Sequence, residues 1–282
     1  MLKLMYITNN PEIAKIAEES GVDRVFVDME YIGKDDRQGG LDTVKNHHSI
    51  EDVKRLRSVL KKSELLVRVN PIHDVSSEYC SSEDEINATV EAGADIVMLP
   101  FFKTVAEVER FIKAVDGRAK TMLLLETPEA VDALNDILKV KGIDEIHIGL
   151  NDLHLGMHLD FMFELLTNGV VEQICGKIKK VGIPYGFGGI ARMGGGILPT
   201  EYIIAEHYRL GSTCAILSRS FCDTSLIDNL SEIEKVFKNG INDIRQFENS
   251  LPDKDNSYYI DNQSCIKKRV EEIVKTMREK RG

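Results

Sequence analysis

Two carboxylates stand at the ends of neighbouring apolar runs. Glu126 closes TMLLLET (Thr121–Thr127), and Asp152 follows EIHIGL (Glu145–Leu150). Paired carboxylates with open positions around them suit Mg²⁺ or Mn²⁺, hard cations that keep waters and share oxygen ligands with a substrate. The competing reading is helix capping. It is fair for Asp152 and weaker for Glu126, because Thr127 stands better placed as a cap before Pro128. Arg68 and Asn70 lie in a third run, LLVRVN (Leu65–Asn70), and Asp28 and Glu30 end a fourth, RVFVDME (Arg24–Glu30). An arginine inside an apolar run either pairs with such carboxylates or forks onto the carboxylate of a ligand. The two roles are compatible. In GFGGIARMGGG (Gly186–Gly196), Gly188 and Gly189 let backbone N–H groups approach a ligand closely. Arg192, with Arg219 as a further candidate, would add charge for a phosphate or carboxylate tail. A tight loop without ligand is the alternative.

These residues need a scaffold that gathers them. Short, nearly continuous apolar runs alternate with helical patterns along the chain, as strands buried on both faces should. The runs are LKLMYIT, RVFVDME, LLVRVN, IVMLP, TMLLLET, EIHIGL, PYGFGGI and CAILSRSF. Ser49 with Asp52 three residues on, and Pro11 and Pro128, mark helix starts. Eight strands each followed by a helix predict an α/β fold of the (β/α)8 TIM barrel type. A doubly wound open sheet is the alternative and more commonly uses fewer strands. The barrel is expected over residues 1–250 as the catalytic domain. Residues 251–282 are expected as a polar, loop-like linker, LPDKDNSYYIDNQSC, and a C-terminal helix that either lies on the surface or docks on a neighbouring subunit. In a barrel, chemistry gathers where the strands end. Several strands here each deliver a polar group to that end, which packing alone does not explain, since buried charge is costly unless paired or metal-bound.

Bulk properties narrow the function. The chain has 282 residues, 43% apolar and 29% charged, with a net charge of −10. That charge argues against nucleic acid or anionic membrane as partner. No run approaches the roughly 18 apolar residues of a membrane span, and the N-terminus does not read as a signal peptide. The five cysteines are scattered, with no CxxC pair. Reduced thiols in a cytoplasmic protein are the plain expectation.

The stretches GVDRVFVDME, LLVRVN, EAGADIVMLPFF, LLLETPEAVDALNDIL and KGIDEIHIGLNDL, with Gly156, follow one another between Gly21 and Gly156. In that order they resemble the metal-dependent pyruvate aldolases of the HpcH/HpaI type and the related citrate lyase β subunits. The resemblance implies an Mg²⁺-type ion on Glu126 and Asp152, Arg68 on a pyruvate-like unit, and C–C bond chemistry on a 2-oxo acid or acyl substrate through an enolate. It also suggests a homo-oligomer. Three departures stand out. The aldolase branch carries a histidine base after the strand-two glutamate and the citrate lyase branch an acid; here Glu30 is followed by Tyr31. The arginine-glycine segment between strands four and five is reduced to Gly117-Arg118. The loop GGIARMGGG fits neither branch. Tyr31 and His47 or His48 are the candidates for proton transfer. His154 and His158, spaced i,i+4 without an HExxH glutamate, read as surface or packing. Phosphoryl transfer or hydrolysis, and a barrel that binds ligand without turnover, are the rival functions.

Overall fold

Eight parallel strands hydrogen-bond in sequence order, and β8 returns to β1 to close a barrel. The computed structural model describes residues 1–33, 48–227 and 229–281. His47 lies outside them. The first half runs β1 (Lys3–Ile7), α1 (Pro11–Glu19), β2 (Arg24–Asp28), α2 (Ile50–Val59), β3 (Glu64–Arg68), α3 (Ser82–Glu91), β4 (Ile96–Leu99) and α4 (Val105–Val115). Next come β5 (Lys120–Leu125), α5 (Pro128–Asp132), α6 (Leu134–Ile137), β6 (Glu145–Ile148), α7 (Leu150–Gly156), α8 (Glu164–Thr167) and α9 (Val170–Val181). The chain ends with β7 (Tyr185–Ile190), α10 (Thr200–Leu210), β8 (Cys214–Leu217), α11 (Leu230–Ser250) and α12 (Asn256–Arg281). The expected TIM barrel is the observed fold, with helices after its eighth strand.

Local chemistry explains the helix starts. Asn10 Oδ1 accepts the Glu12 N–H at 2.9 Å ahead of Pro11, and Ser49 N–H donates to Asp52 Oδ2 at 2.7 Å ahead of α2. Alternating strand residues then sort into two layers. Met5, Phe26, Leu66, Met98, Met122 and Leu124 fill the barrel interior. The other faces pack against the helices in one larger apolar cluster. Each fully buried side chain of this size contributes about 1.5–3 kcal/mol.

The end of the barrel where the strands begin is plugged by charge. Arg24 is fully buried and forks onto Glu145, Nη1 to Oε2 at 2.8 Å and Nη2 to Oε1 at 2.5 Å, while its Nε donates to Glu64 at 2.9 Å. Lys120 Nζ donates to Glu64 Oε1 at 2.6 Å. Strand register brings them together: Arg24 pairs with Glu64, and Met122 with Glu145.

The tail differs from expectation. Residues from Asn256 on, expected in part as loop, are helical throughout α12. This helix packs on α10 and α8 of its own chain, burying Ile266, Val270 and Val274. Asn262 Nδ2 donates to Tyr202 O at 3.1 Å. Contact with the barrel, rather than local apolar density, supports its first turns.

Two buried histidines carry a pH signature. His207 stacks on Phe187 with ring centroids 3.8 Å apart, and burial pushes its pKa down to about 3. His147, inside the barrel, is held down to about 4 by burial, with Arg24 and Arg68 adding to it. Both stay neutral in the folded state where an unfolded histidine takes up a proton, below about pH 6.5. Their stabilisation is therefore complete above pH 6.5. It falls as the pH drops toward 4 and 3, by up to ~1.4 kcal/mol per pH unit for each histidine. Urea unfolding at pH 7 and pH 5 should show that loss, and His207→Gln should reduce it. An unchanged pH dependence in the variant would remove His207 as a cause.

Candidate active site

Strands β2 and β3 end on residues in register, Asp28 opposite Arg68. Arg68 Nε donates to Asp28 Oδ1 at 2.8 Å and Nη2 to Oδ2 at 2.9 Å, while Nη1 lies 3.2 Å from Glu30 Oε2. Burial works against the guanidinium charge, but Asp28, Glu30 and Glu126 hold its pKa well above the usual range. A guanidinium has five N–H donors in a fixed fork. The contacts described here engage three of them. A ligand contact is compatible with this pairing on the same side chain.

Glu126 follows β5. Its Oε1 accepts the N–H of Phe101, which sits at φ +48° just beyond β4. Such left-handed backbone costs a non-glycine residue roughly 1–2 kcal/mol and tends to collect at functional sites. Thr127, not Glu126, caps α5: its Oγ1 accepts the Ala130 N–H at 3.2 Å. Asp152 is the third residue of α7, whose cap position is Gly149 and which has no side-chain cap bond. Neither carboxylate is therefore the helix cap of the competing reading.

Gly149 leaves the space that Glu126 uses. A Cβ there would lie 2.7 Å from Glu126 Oε2 and 2.8 Å from Glu126 Cβ. Gly149→Ala should displace the Glu126 carboxylate and cost about 1–3 kcal/mol of stability through overpacking. Mg²⁺ affinity of the variant, measured by titration, should fall with it. Unchanged affinity would show that the Glu126 carboxylate does not depend on this gap.

Asp28, Arg68, Glu126, Asp152, Gly188 and Gly189 all line one cavity of about 420 Å³ at the barrel mouth. A second cavity of about 440 Å³ shares Glu126 and Asp152 as wall residues. Among the described residues no cluster of three or more His, Cys, Asp or Glu converges as metal ligands. Two buried or half-buried carboxylates, with the Gly149 gap keeping room beside one of them, still fit a hard divalent cation that takes its remaining ligands from water and substrate.

Other expected residues stand apart from the cavity wall. Asn70 was expected to touch substrate. Its Oδ1 instead accepts the Tyr31 and Ile32 N–H groups, both at 2.9 Å, and its Nδ2 donates to Glu85 at 2.8 Å. The amide ties two mouth loops together. Tyr31 is 46% exposed, with its ring against Tyr79, and burial with Glu85 raises its pKa. Arg192 is exposed and packs toward Gly240 of α11. Glu30 is not a wall residue of the cavity and meets Arg68 Nη1 at 3.2 Å. His48 Nδ1 accepts the Asp28 N–H at 3.0 Å, one step behind the wall. His154 is buried against Leu150 O, a packing role. Arg219 does line the cavity, and so does His147, which sequence reasoning passed over. Strand alternation with Glu145 and Gly149 was the signal that could have turned His147 inward.

The profile of the HpcH/HpaI aldolase/citrate lyase family matches residues 3–162, more than half of the chain. The chain belongs to that family. Family membership makes it an aldolase- or lyase-type enzyme of oxo-acid substrates, and the family is generally dependent on a divalent metal. No curated protein matches the chain. Solved structures similar to this family member include an HpcH/HpaI aldolase from Desulfitobacterium hafniense DCB-2, at 16% identity and TM-score 0.58, covering 77% of this chain and 86% of that one. A family protein from Burkholderia cenocepacia J2315 shares 14% identity at TM-score 0.59, over 82% and 94%. The citrate synthase SbnG shares 17% identity at TM-score 0.57, over 83% and 94%. At these identities the likeness is one of fold.

Proposed function

We propose that this family member is a divalent-metal-dependent carbon–carbon lyase or aldolase that acts on a 2-oxo acid or related acyl substrate through an enolate. The observation that carries the reading is the meeting of Arg68, Glu126 and Asp152, from three different strand ends, on the wall of one cavity. Glu126 and Asp152 would hold Mg²⁺ or Mn²⁺, which supplies Lewis-acid stabilisation of the developing oxyanion. Arg68 binds the carboxylate of the oxo acid with the N–H groups left over from Asp28 and Glu30. Because those partners already fix the guanidinium, little orientation entropy is lost on binding. Leu124 and Leu150 give the same wall an apolar part that limits water at the reacting carbon.

Proton transfer falls to cavity-lining groups rather than to Tyr31, whose ring faces Tyr79. That displacement is also what favours the rival reading, a barrel that binds the oxo acid and metal without turnover. Incubation with pyruvate and Mg²⁺ or Mn²⁺ in D₂O separates the two. Exchange of the methyl protons supports the lyase, and binding without exchange supports the rival. The five cysteines are all free thiols, which fits the cytoplasmic site of action we assign. We also expect a homo-oligomer, which light scattering can check.

A further inference from the structure

We infer that Phe101, through the left-handed turn it occupies, is the positioning residue that orients the Glu126 carboxylate for the divalent cation. The inference rests on the proposed metal role of Glu126 and extends it to the structure that holds that side chain in place. Groups that orient a metal ligand from behind are as much a part of a metal site as the ligand itself.

Strand β4 ends at Leu99, and Pro100 and Phe101 follow. Proline carries no N–H, so the first amide donor past the strand is that of Phe101. It donates to Glu126 Oε1 at 3.0 Å from a backbone at φ +48°. A Cβ at Gly149 would lie 2.7 Å from the other oxygen, Oε2. The carboxylate is thus located from two sides, by a donor on Oε1 and by the turn after β6 beside Oε2. Any residue with a Cβ resists the left-handed region, and one persists there where its surroundings over-determine it. What the conformation achieves at Phe101 is the direction of one N–H, toward Glu126. Phe101 also lines the second cavity together with Glu126 and Asp152, so the turn borders both proposed ligands.

The turn is fastened to the loop after β5 at three successive residues. Phe101 N–H meets Glu126, Thr127 Oγ1 donates to Phe102 O at 2.7 Å, and Lys103 Nζ lies 3.0 Å from Glu129 Oε1. Phe102 and Thr127 are both buried, so the middle tie is kept from water. Lys103 Nζ also sits over the Phe101 ring, 5.5 Å from its centroid, a cation–π arrangement. The ring is therefore held by a cation that Glu129 holds in turn. Beyond it, the N–H groups of Lys103 and Thr104 donate to Glu107 Oε2 at 2.9 and 2.7 Å, which anchors the far side of the turn at the start of α4. A ligand held by such ties loses little orientation freedom when the cation binds.

Two substitutions separate this role from packing, because both delete the ring. Phe101→Ala keeps the resistance to a left-handed backbone, whereas Phe101→Gly adopts that backbone freely. Calorimetric titration of the full chain with Mn²⁺ should find Phe101→Ala binding roughly 10–100-fold more weakly than the wild type, the usual effect of losing a group that orients a metal ligand. Phe101→Gly should bind as the wild type does, and so should Phe101→Tyr, which keeps the ring. Thermal melts without metal should rank Phe101→Gly above Phe101→Ala. A purely structural Phe101 would lower the melting temperature of both variants and leave the Mn²⁺ affinity of the folded protein unchanged, and that result overturns the inference. Equal weakening of Mn²⁺ binding in both variants, or a glycine variant less stable than the alanine one, overturns it as well. Failure of the metal reading looks different: Glu126→Gln then binds Mn²⁺ as the wild type does, or neither binds it, and the inference falls with that reading.

Discussion

Glu126→Gln should reduce metal-dependent exchange of pyruvate methyl protons by about 10²–10³-fold, the cost of removing one preorganised electrostatic group from a site of this kind. The substitution keeps the shape of the side chain and removes the negative charge. The amide oxygen can still accept the Phe101 N–H that now binds Oε1 at 3.0 Å, so the fold should be kept. Asp152→Asn should act in the same direction, because both carboxylates line both cavities. The two losses should not add, since each variant already breaks the same site. Proton exchange by NMR and Mn²⁺ titration provide the two measurements. Wild-type exchange in Glu126→Gln at saturating Mn²⁺ would remove this carboxylate from the chemistry. Exchange lost together with cooperative unfolding would point instead to a structural role.

Arg24→Met should be the most destabilising single change at the closed end of the barrel, at about 3–5 kcal/mol. The arginine is fully buried, and its loss leaves the buried Glu145 and the partly exposed Glu64 with Lys120 and Lys3 as the remaining cations. Removing one partner of a buried pair costs more than replacing the pair, because an uncompensated charge remains. The double variant Arg24→Met, Glu145→Leu should therefore be more stable than Arg24→Met alone. Thermal melts followed by circular dichroism should show that order. A double variant less stable than the single would mean that the network contributes through hydrogen-bond geometry rather than charge compensation. Pyruvate exchange per folded molecule should change little, since the network lies at the end of the strands away from Glu126 and Asp152.

Much of the candidate site is legible in the sequence. Arg68, Glu126 and Asp152 stood at the ends of apolar runs, and strand ends converge in a barrel. Arg68 also shows the limit of such reading. Its position in the sequence leaves its partner open between Asp28, Glu30 and a ligand, and β2–β3 register, a property of two strands at once, sets Asp28 opposite it. Residue type and position alone suggest Asn70 and Arg192 as ligand contacts. Asn70 is taken up by loop N–H groups and Glu85 from separate segments of the chain. Arg192 turns toward α11, which follows it by some forty residues in the chain.

The sequence by itself determined the parallel barrel, the order of its strands and the family to which it belongs. Each of those is carried by short-range patterns: doubly buried strands are locally apolar, caps are local, and motifs are contiguous. Only the tertiary structure decided the rest. Barrel closure brought Glu126 and Arg219 to the wall of one cavity and turned His147 inward. Register buried the Arg24 network, and docking on α10 and α8 extended α12 through a segment that reads as loop. These outcomes depend on residues far apart in the chain meeting in one place, and no local pattern carries that information.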